Sequence, residues 1–191
     1  MEKNIKNIVY LDLDGVVVNF AKRAIRIINE NRFNIVKYKE YVEYIVIKQG
    51  HKLINVNDLH PDFETKDEKI IEFMFKLLSN DKDFWINLEW LRGGMSLFNF
   101  INKNFANFYI LSSPIPGDTA CIEGKKEWVL KNMGICEDKI IIERNKSIYS
   151  SKDSILIDDF LINTNKWENG GGIAIHHKNC KSTINKLKKY L

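Results

Sequence analysis

Asp12 and Asp14 stand either side of one leucine at the end of an apolar run, Ile8-Val9-Tyr10-Leu11-Asp12-Leu13-Asp14-Gly15. Side chains at i and i+2 of a strand point to the same face, so the two carboxyls share one edge of a sheet. Like charges held that close are relieved by a raised pKa on one of them or by a bound cation, and both point to chemistry rather than packing. Further polar groups follow other β-like runs. Ser112 and Ser113 come after Phe108-Tyr109-Ile110-Leu111, Asp158 and Asp159 after Ile155-Leu156-Ile157, and Lys146 in the loop after Ile140-Ile141-Ile142. Four acids, a hydroxyl pair and a lysine on one edge suit a phosphate ester held by a hard divalent cation such as Mg²⁺. The carboxylates would take the metal, the hydroxyls and backbone N–H groups the phosphoryl oxygens, and the lysine the charge.

The elements that must position these groups can be read from periodicity. A first strand spans residues 5–13, and a helix over 18–31 carries Ala21, Ala24, Ile25 and Ile28 on one face. Residues 33–88 contain helical patterns and no convincing buried strand: one over 37–48, and one opened by a capping box at Thr65-Lys66-Asp67-Glu68. The second of these repeats Ile70, Ile71, Met74, Leu77 and Leu78 at helical spacing. After Gly93-Gly94 the strand–helix alternation resumes. A helix is expected over 95–103, a strand over 108–111, and a helix over 121–133 closed by Gly134. Strands follow over 139–142, 154–157 and 172–175, then a helix capped by Ser182. Such alternation predicts an α/β fold, a three-layered Rossmann-like parallel sheet with a small inserted helical cap. Residues 1–17 and 91–191 would form the core and residues 18–90 the cap. Ligands of such sheets sit outside the carboxyl ends of the strands.

Composition narrows the classes. A chain of 191 residues can bury one substantial core. The net charge of +4 comes from lysines that are scattered apart from Lys186, Lys188 and Lys189, which is no strong nucleic-acid signal. No apolar segment is long enough to span a bilayer, and the polar start does not read as a secretion signal. Three cysteines without metal-ligand spacing fit free thiols and a cytoplasmic location.

The order Asp12-x-Asp14-Gly15, Ser112, Lys146, Asp158-Asp159 resembles the four motifs of the haloacid dehalogenase superfamily of phosphatases. Longer runs resemble its 5'(3')-deoxyribonucleotidase family: residues 12–20, Asp83-Phe84-Trp85 with Leu88-Glu89, and Leu111-Ser112-Ser113-Pro114. Lys125 with Trp128-Val129, Arg144-Asn145-Lys146, residues 155–159 and residues 167–177 extend the likeness, which is weakest over 33–81. The resemblance implies an Mg²⁺-dependent phosphatase that hydrolyses deoxyribonucleoside monophosphates through an aspartyl-phosphate. Asp12 would be the nucleophile and Asp14 the general acid and base. The metal would be held by the Asp12 carboxylate, the Asp14 backbone carbonyl and Asp159, with Asp158 in support, while Ser112, Ser113 and Lys146 take the phosphoryl oxygens. Ser112 stands where threonine is common and Asn145 where aspartate is, and Phe160 is more apolar than expected. None of these removes a role.

Several residues have plainer readings. Lys125 and Lys126 rival Lys146 as the phosphate lysine, but a position inside a helix favours an exposed face for one of them. His176 and His177 end the last strand and fit a structural or solvated role, since a hard cation wants oxygen ligands. Of the aromatics Phe20, Phe33, Tyr38, Tyr41, Tyr44, Phe73, Phe75 and Trp85, most are expected to be cap core. Phe20, close to the carboxylate loop, is the candidate for substrate contact. The partner expected is a small phosphate monoester, with no membrane and with room for a homodimer. Rival readings are a phosphatase of a sugar phosphate, another metabolite or a polynucleotide end, and a non-enzymatic receiver-like switch phosphorylated on aspartate.

Overall fold

The computed structural model describes residues 4–31, 33–49 and 68–191. Five strands, β1 (Asn4–Leu11), β2 (Phe105–Ser112), β3 (Ile140–Ile142), β4 (Ser154–Asp158) and β5 (Ile173–His176), form one sheet. Their order is β3-β2-β1-β4-β5 and every pairing is parallel. The helices are α1 (Phe20–Asn31), α2 (Ile35–Gln49), α3 (Glu68–Leu78) and α4 (Lys82–Ile86), all before β2. Then come α5 (Gly94–Asn104), α6 (Thr119–Met133), α7 (Leu161–Asn169) and α8 (Cys180–Leu187).

The alternation of side chains along the strands decides the layers. Val9 and Leu11 of β1, with Phe108, Ile110, Ile155 and Ile157, face a large core that includes Leu97, Phe98 and Ile101 of α5, Trp128 and Val129 of α6 and Leu187 of α8. Tyr10, Leu111 and Leu156 face the other way, onto Trp167 of α7. Helices therefore cover both faces, as an all-parallel sheet requires. β2 lies on one side of β1 and β4 on the other. The order of connection reverses at β1, so a crevice opens beyond its carboxyl end, and Asp12 is the first residue past that end.

α1 to α4 enter the sequence between β1 and α5. Tyr41 stacks on Phe73 at 5.2 Å and Tyr38 meets the same ring edge-on at 5.3 Å, so these aromatics are core between α2 and α3. Phe33 and Phe75 are exposed. The Tyr41 hydroxyl donates to Glu72 at 2.7 Å, and that bond, aided by burial, pushes its pKa up to about 12. α4 packs on α6.

Some boundaries differ from the sequence expectation. β1 ends at Leu11 rather than residue 13, because the N–H groups of Val16, Val17 and Val18 turn back to the Leu13 carbonyl. That loop delays α1 to Phe20. The last helix is capped not by Ser182 but by Asn179, whose Oδ1 accepts from the Ser182 N–H at 2.9 Å. Gly134 closes α6 in the left-handed conformation, as expected. α4 and α7 carry no apolar period strong enough to be read in advance. The capping box at residues 65–68 begins outside the described residues.

Trp128 of α6 is buried, and its Nε1 donates to the Leu88 carbonyl at 2.7 Å, joining α6 to the segment that returns to the sheet. Trp128→Phe keeps most of the ring and strands that carbonyl. We expect a loss of about 1–3 kcal/mol in urea denaturation; an unchanged midpoint would show that the carbonyl finds another donor.

Candidate active site

The carboxyl ends of β1, β2 and β4 deliver the polar groups. Asp12 follows β1, its N–H bonded to the Ile157 carbonyl at 3.0 Å. Ser112 is the last residue of β2 and Asp158 the last of β4. Asp14 lies in the turn that follows Asp12, and Gly15 after it adopts φ +72°. A Cβ at Gly15 would fall 1.9 Å from Asp159 Oδ2, so this position needs both the left-handed backbone and the missing side chain. Gly15 is what lets the β1 loop close on the acid that follows β4.

Two buried lysines hold the acids. Lys146, in a 3₁₀ turn after β3, is 2 % exposed; its Nζ donates to Asp158 Oδ2 at 2.6 Å and forms an ion pair with Asp12 Oδ1 at 2.9 Å. Lys125, on α6, is equally buried. Its Nζ donates to Asp14 Oδ2 at 2.6 Å, to Ser112 Oγ at 3.1 Å and to the Ser113 carbonyl at 2.6 Å. Each aspartate of the Asp-x-Asp pair thus has its own ammonium.

Lys125 is the residue the sequence reading undervalued. It is not on an exposed helix face; it occupies the buried stripe of α6 with Cys121, Gly124, Trp128 and Val129. A lysine at i+4 from one buried residue and i−3 from another was the available signal. Lys126 is the exposed one, paired with Glu137 at 3.0 Å. The structure brings Lys146 to Asp12 and Asp158, and Lys125 to the serine pair. Asn163 is a further participant that sequence reasoning missed: its Nδ2 donates to both Asp158 oxygens, at 3.2 and 3.0 Å. With the Phe160 N–H at 2.8 Å and Lys146, four contacts from three residues saturate Asp158. Asp158 is therefore built to hold Lys146.

Asp12, Asp158 and Asp159 each offer an oxygen within 4.8 Å of the others. The Asp159 carboxylate accepts no hydrogen bond from a side chain among the described residues. Burial first, then the charges of Asp12, Asp158 and Asp14, push its pKa up to about 8. Burial also raises Asp14, with Lys125 pulling against it and Asp12 adding to it. Four carboxyls face two ammoniums, so full ionisation would leave two charges uncovered. That shortfall matches one divalent cation, and oxygen donors are what Mg²⁺ takes. With Asp158 saturated, Asp12 and Asp159 are the carboxylates that could hold it.

The histidines lie beside the acids without joining them. His176 Nε2 donates to the Asp159 backbone carbonyl at 3.0 Å, while buried His177 bonds Thr183 Oγ1 at 2.9 Å through Nδ1. Burial, with His176 second, pushes His177 down to about 4, so it is neutral at pH 7. Phe20 is half-buried, stacked on Trp85 at 5.8 Å and edge-on to Phe84 at 5.6 Å.

No family model matches this sequence, and no curated protein is significantly similar to it. The fold is similar to solved hydrolases. A HAD hydrolase, YfnB of Bacillus subtilis, bound to magnesium, is 11 % identical, with a TM-score of 0.53 over 96 % of this chain and 99 % of that one. A hydrolase of Streptococcus pneumoniae is also 11 % identical, with a TM-score of 0.51 over 96 % and 100 %. A family IA HAD hydrolase of Entamoeba histolytica is 15 % identical, with a TM-score of 0.50 over 96 % and 88 %. The chain has the fold of the HAD hydrolases, where HAD stands for haloacid dehalogenase.

The raised Asp159 gives a linkage. Without metal the folded protein keeps a proton that the unfolded chain releases near pH 4, so metal-free stability falls as pH rises from about 4 to about 8. A cation bound by Asp159 displaces that proton. Affinity for Mg²⁺ should rise between pH 6 and 8 by up to roughly tenfold per unit, with proton release seen by calorimetry in buffers of different ionisation enthalpy. Affinity that stays flat across this range would count against Asp159 as a ligand.

Proposed function

We propose that the protein is an Mg²⁺-dependent phosphatase of the HAD superfamily, acting on deoxyribonucleoside monophosphates through an aspartyl-phosphate. The observation that carries this reading is the pair of buried lysines, one on each member of Asp12-x-Asp14, beside an uncompensated Asp159. A metal bound by Asp12, the Asp14 backbone carbonyl and Asp159 would supply positive charge against both nucleophile and phosphate. The magnesium in the Bacillus subtilis hydrolase supports that choice of ion.

Asp12 Oδ attacks phosphorus as the P–O bond to the sugar breaks. The departing oxygen takes a proton from Asp14, whose pKa burial raises. Asp14, now ionised against Lys125, then removes a proton from water, whose oxygen attacks phosphorus and expels Asp12. Ser112, Ser113, Lys125 and Lys146 hold the phosphoryl oxygens; Asp158 and Asn163 hold Lys146 in place.

The deoxyribonucleotide assignment rests on the resemblance of residues 12–20 and 83–89 and on the Phe20–Trp85 stack beside Lys125. Residues 18–90 would act as a cap that shields the acyl phosphate from bulk water.

The test is phosphate release from 5'- and 3'-deoxyribonucleotides, ribonucleotides, sugar phosphates and phosphorylated oligonucleotide ends, with Mg²⁺ or with a chelator. Deoxyribonucleotides should be turned over best. The chelator should abolish turnover, and Asp12→Asn should lower kcat by roughly a thousandfold or more. Turnover of sugar phosphates alone would discard the substrate and keep the chemistry; full activity of Asp12→Asn would discard the chemistry. Lys125→Met should cost about a hundredfold in kcat. A loss below threefold would return the phosphate role to Lys146 alone.

A further inference from the structure

We infer that Trp85 is the positioning residue of Lys125: the α4 indole holds the ammonium against Asp14 and Ser112, so the seating of α4 on α6 sets the phosphate lysine. The inference rests on the phosphatase reading and adds to it a route from the helices outside the sheet to the reacting groups.

Lys125 Nζ lies 4.8 Å from the centroid of the Trp85 ring. Its donors go to Asp14, Ser112 and Ser113. The indole is a further contact, and the only one of the four that comes from α4. A lysine stem has four rotatable carbons and an ammonium with no fixed plane, so it holds position only as well as its surroundings do. In a desolvated site, an aromatic face beneath that charge is a substantial restraint. Among the described residues Lys146 has no aromatic contact of this kind, and its ion pairs are with Asp12 and Asp158.

Trp85 is itself locked. It is 2 % exposed, stacked on Phe20 and set edge-on to Phe84 at 4.8 Å. The Arg23 guanidinium covers Phe84 at 5.5 Å and donates to the backbone carbonyls of Asp83 and Asn87, which ties α1 to α4. On the other side stands Gly124, the residue before Lys125. A Cβ there would come within 2.5 Å of Trp85 Cβ and 3.1 Å of the Lys82 carbonyl. The two helices meet at a distance that only glycine allows, one residue from the lysine.

The experiment compares wild type, W85F, W85L, K125M and W85L/K125M on acetyl phosphate with Mg²⁺, a substrate with no ring for the indole to stack on. W85L should lose roughly ten- to thirtyfold in kcat with KM within about threefold, and W85F should stay within about threefold of wild type. On the K125M background W85L should cost less than about twofold, because the lysine it acts through is gone. W85L within twofold of wild type, or its full loss persisting in K125M, overturns the inference. Should W85L fail to fold, the ε-CH₂ resonances of Lys125, assigned by their absence in K125M, decide the matter. A ring-current shift upfield in wild type supports the contact and an unshifted position overturns it. Wild type that hydrolyses nothing sinks the phosphatase reading, while the same resonances still report on the indole and the lysine.

Discussion

Everything at the carboxyl edge of this sheet depends on neutralising four crowded aspartates. Asp12, Asp14, Asp158 and Asp159 meet where the adjacent strands β1 and β4 end, and burial strengthens every repulsion among them. Two ammoniums, each almost fully enclosed, make that tolerable. They would fall short of four ionised carboxylates by two charges, and the crowding shows in raised pKa values: Asp159 is pushed up to about 8, and Asp14 is raised as well. An acidic site short of cationic charge suits a dication such as Mg²⁺.

The two lysines arrive by different routes, and the difference has consequences. Lys146 comes from the turn after β3 and is clamped by Asp158, which Asn163 and the Phe160 N–H hold in turn. That network is closed by hydrogen bonds among the turn after β3, the end of β4 and α7. Lys125 comes from α6 and reaches Asp14 past an indole that belongs to α4. Its position is shared between the sheet and the helices outside it. One cation is held by the turn after β3 and the end of β4, and the other is shared with a neighbouring helix.

Much of this was legible in the chain. The apolar run ending in Asp12-Leu13-Asp14-Gly15, the strand-like runs before Ser112 and Asp158, and the β/α alternation predicted a parallel sheet with its acids on one edge. The five strands appear where the runs are. Short elements were less legible: α4 has five residues, too few to show a period, and α7 has little apolar contrast between its faces. The cap of α8 passed from Ser182 to Asn179 because both residue types can accept a backbone N–H, and only backbone dihedrals choose between them.

The sequence by itself determined which residues could be acids, bases and cations, and which strand ends would carry them, since those follow from residue type and a period of two. Only the tertiary structure decided which lysine serves which aspartate. Lys125 and Asp14 are separated by 111 positions and Lys146 and Asp158 by 12, and no local pattern states such pairings. They follow from the packing of α6 against α4 and from the order of strands around β1. Burial, which the chain does not spell out residue by residue, turns those contacts into shifted protons and a defined site.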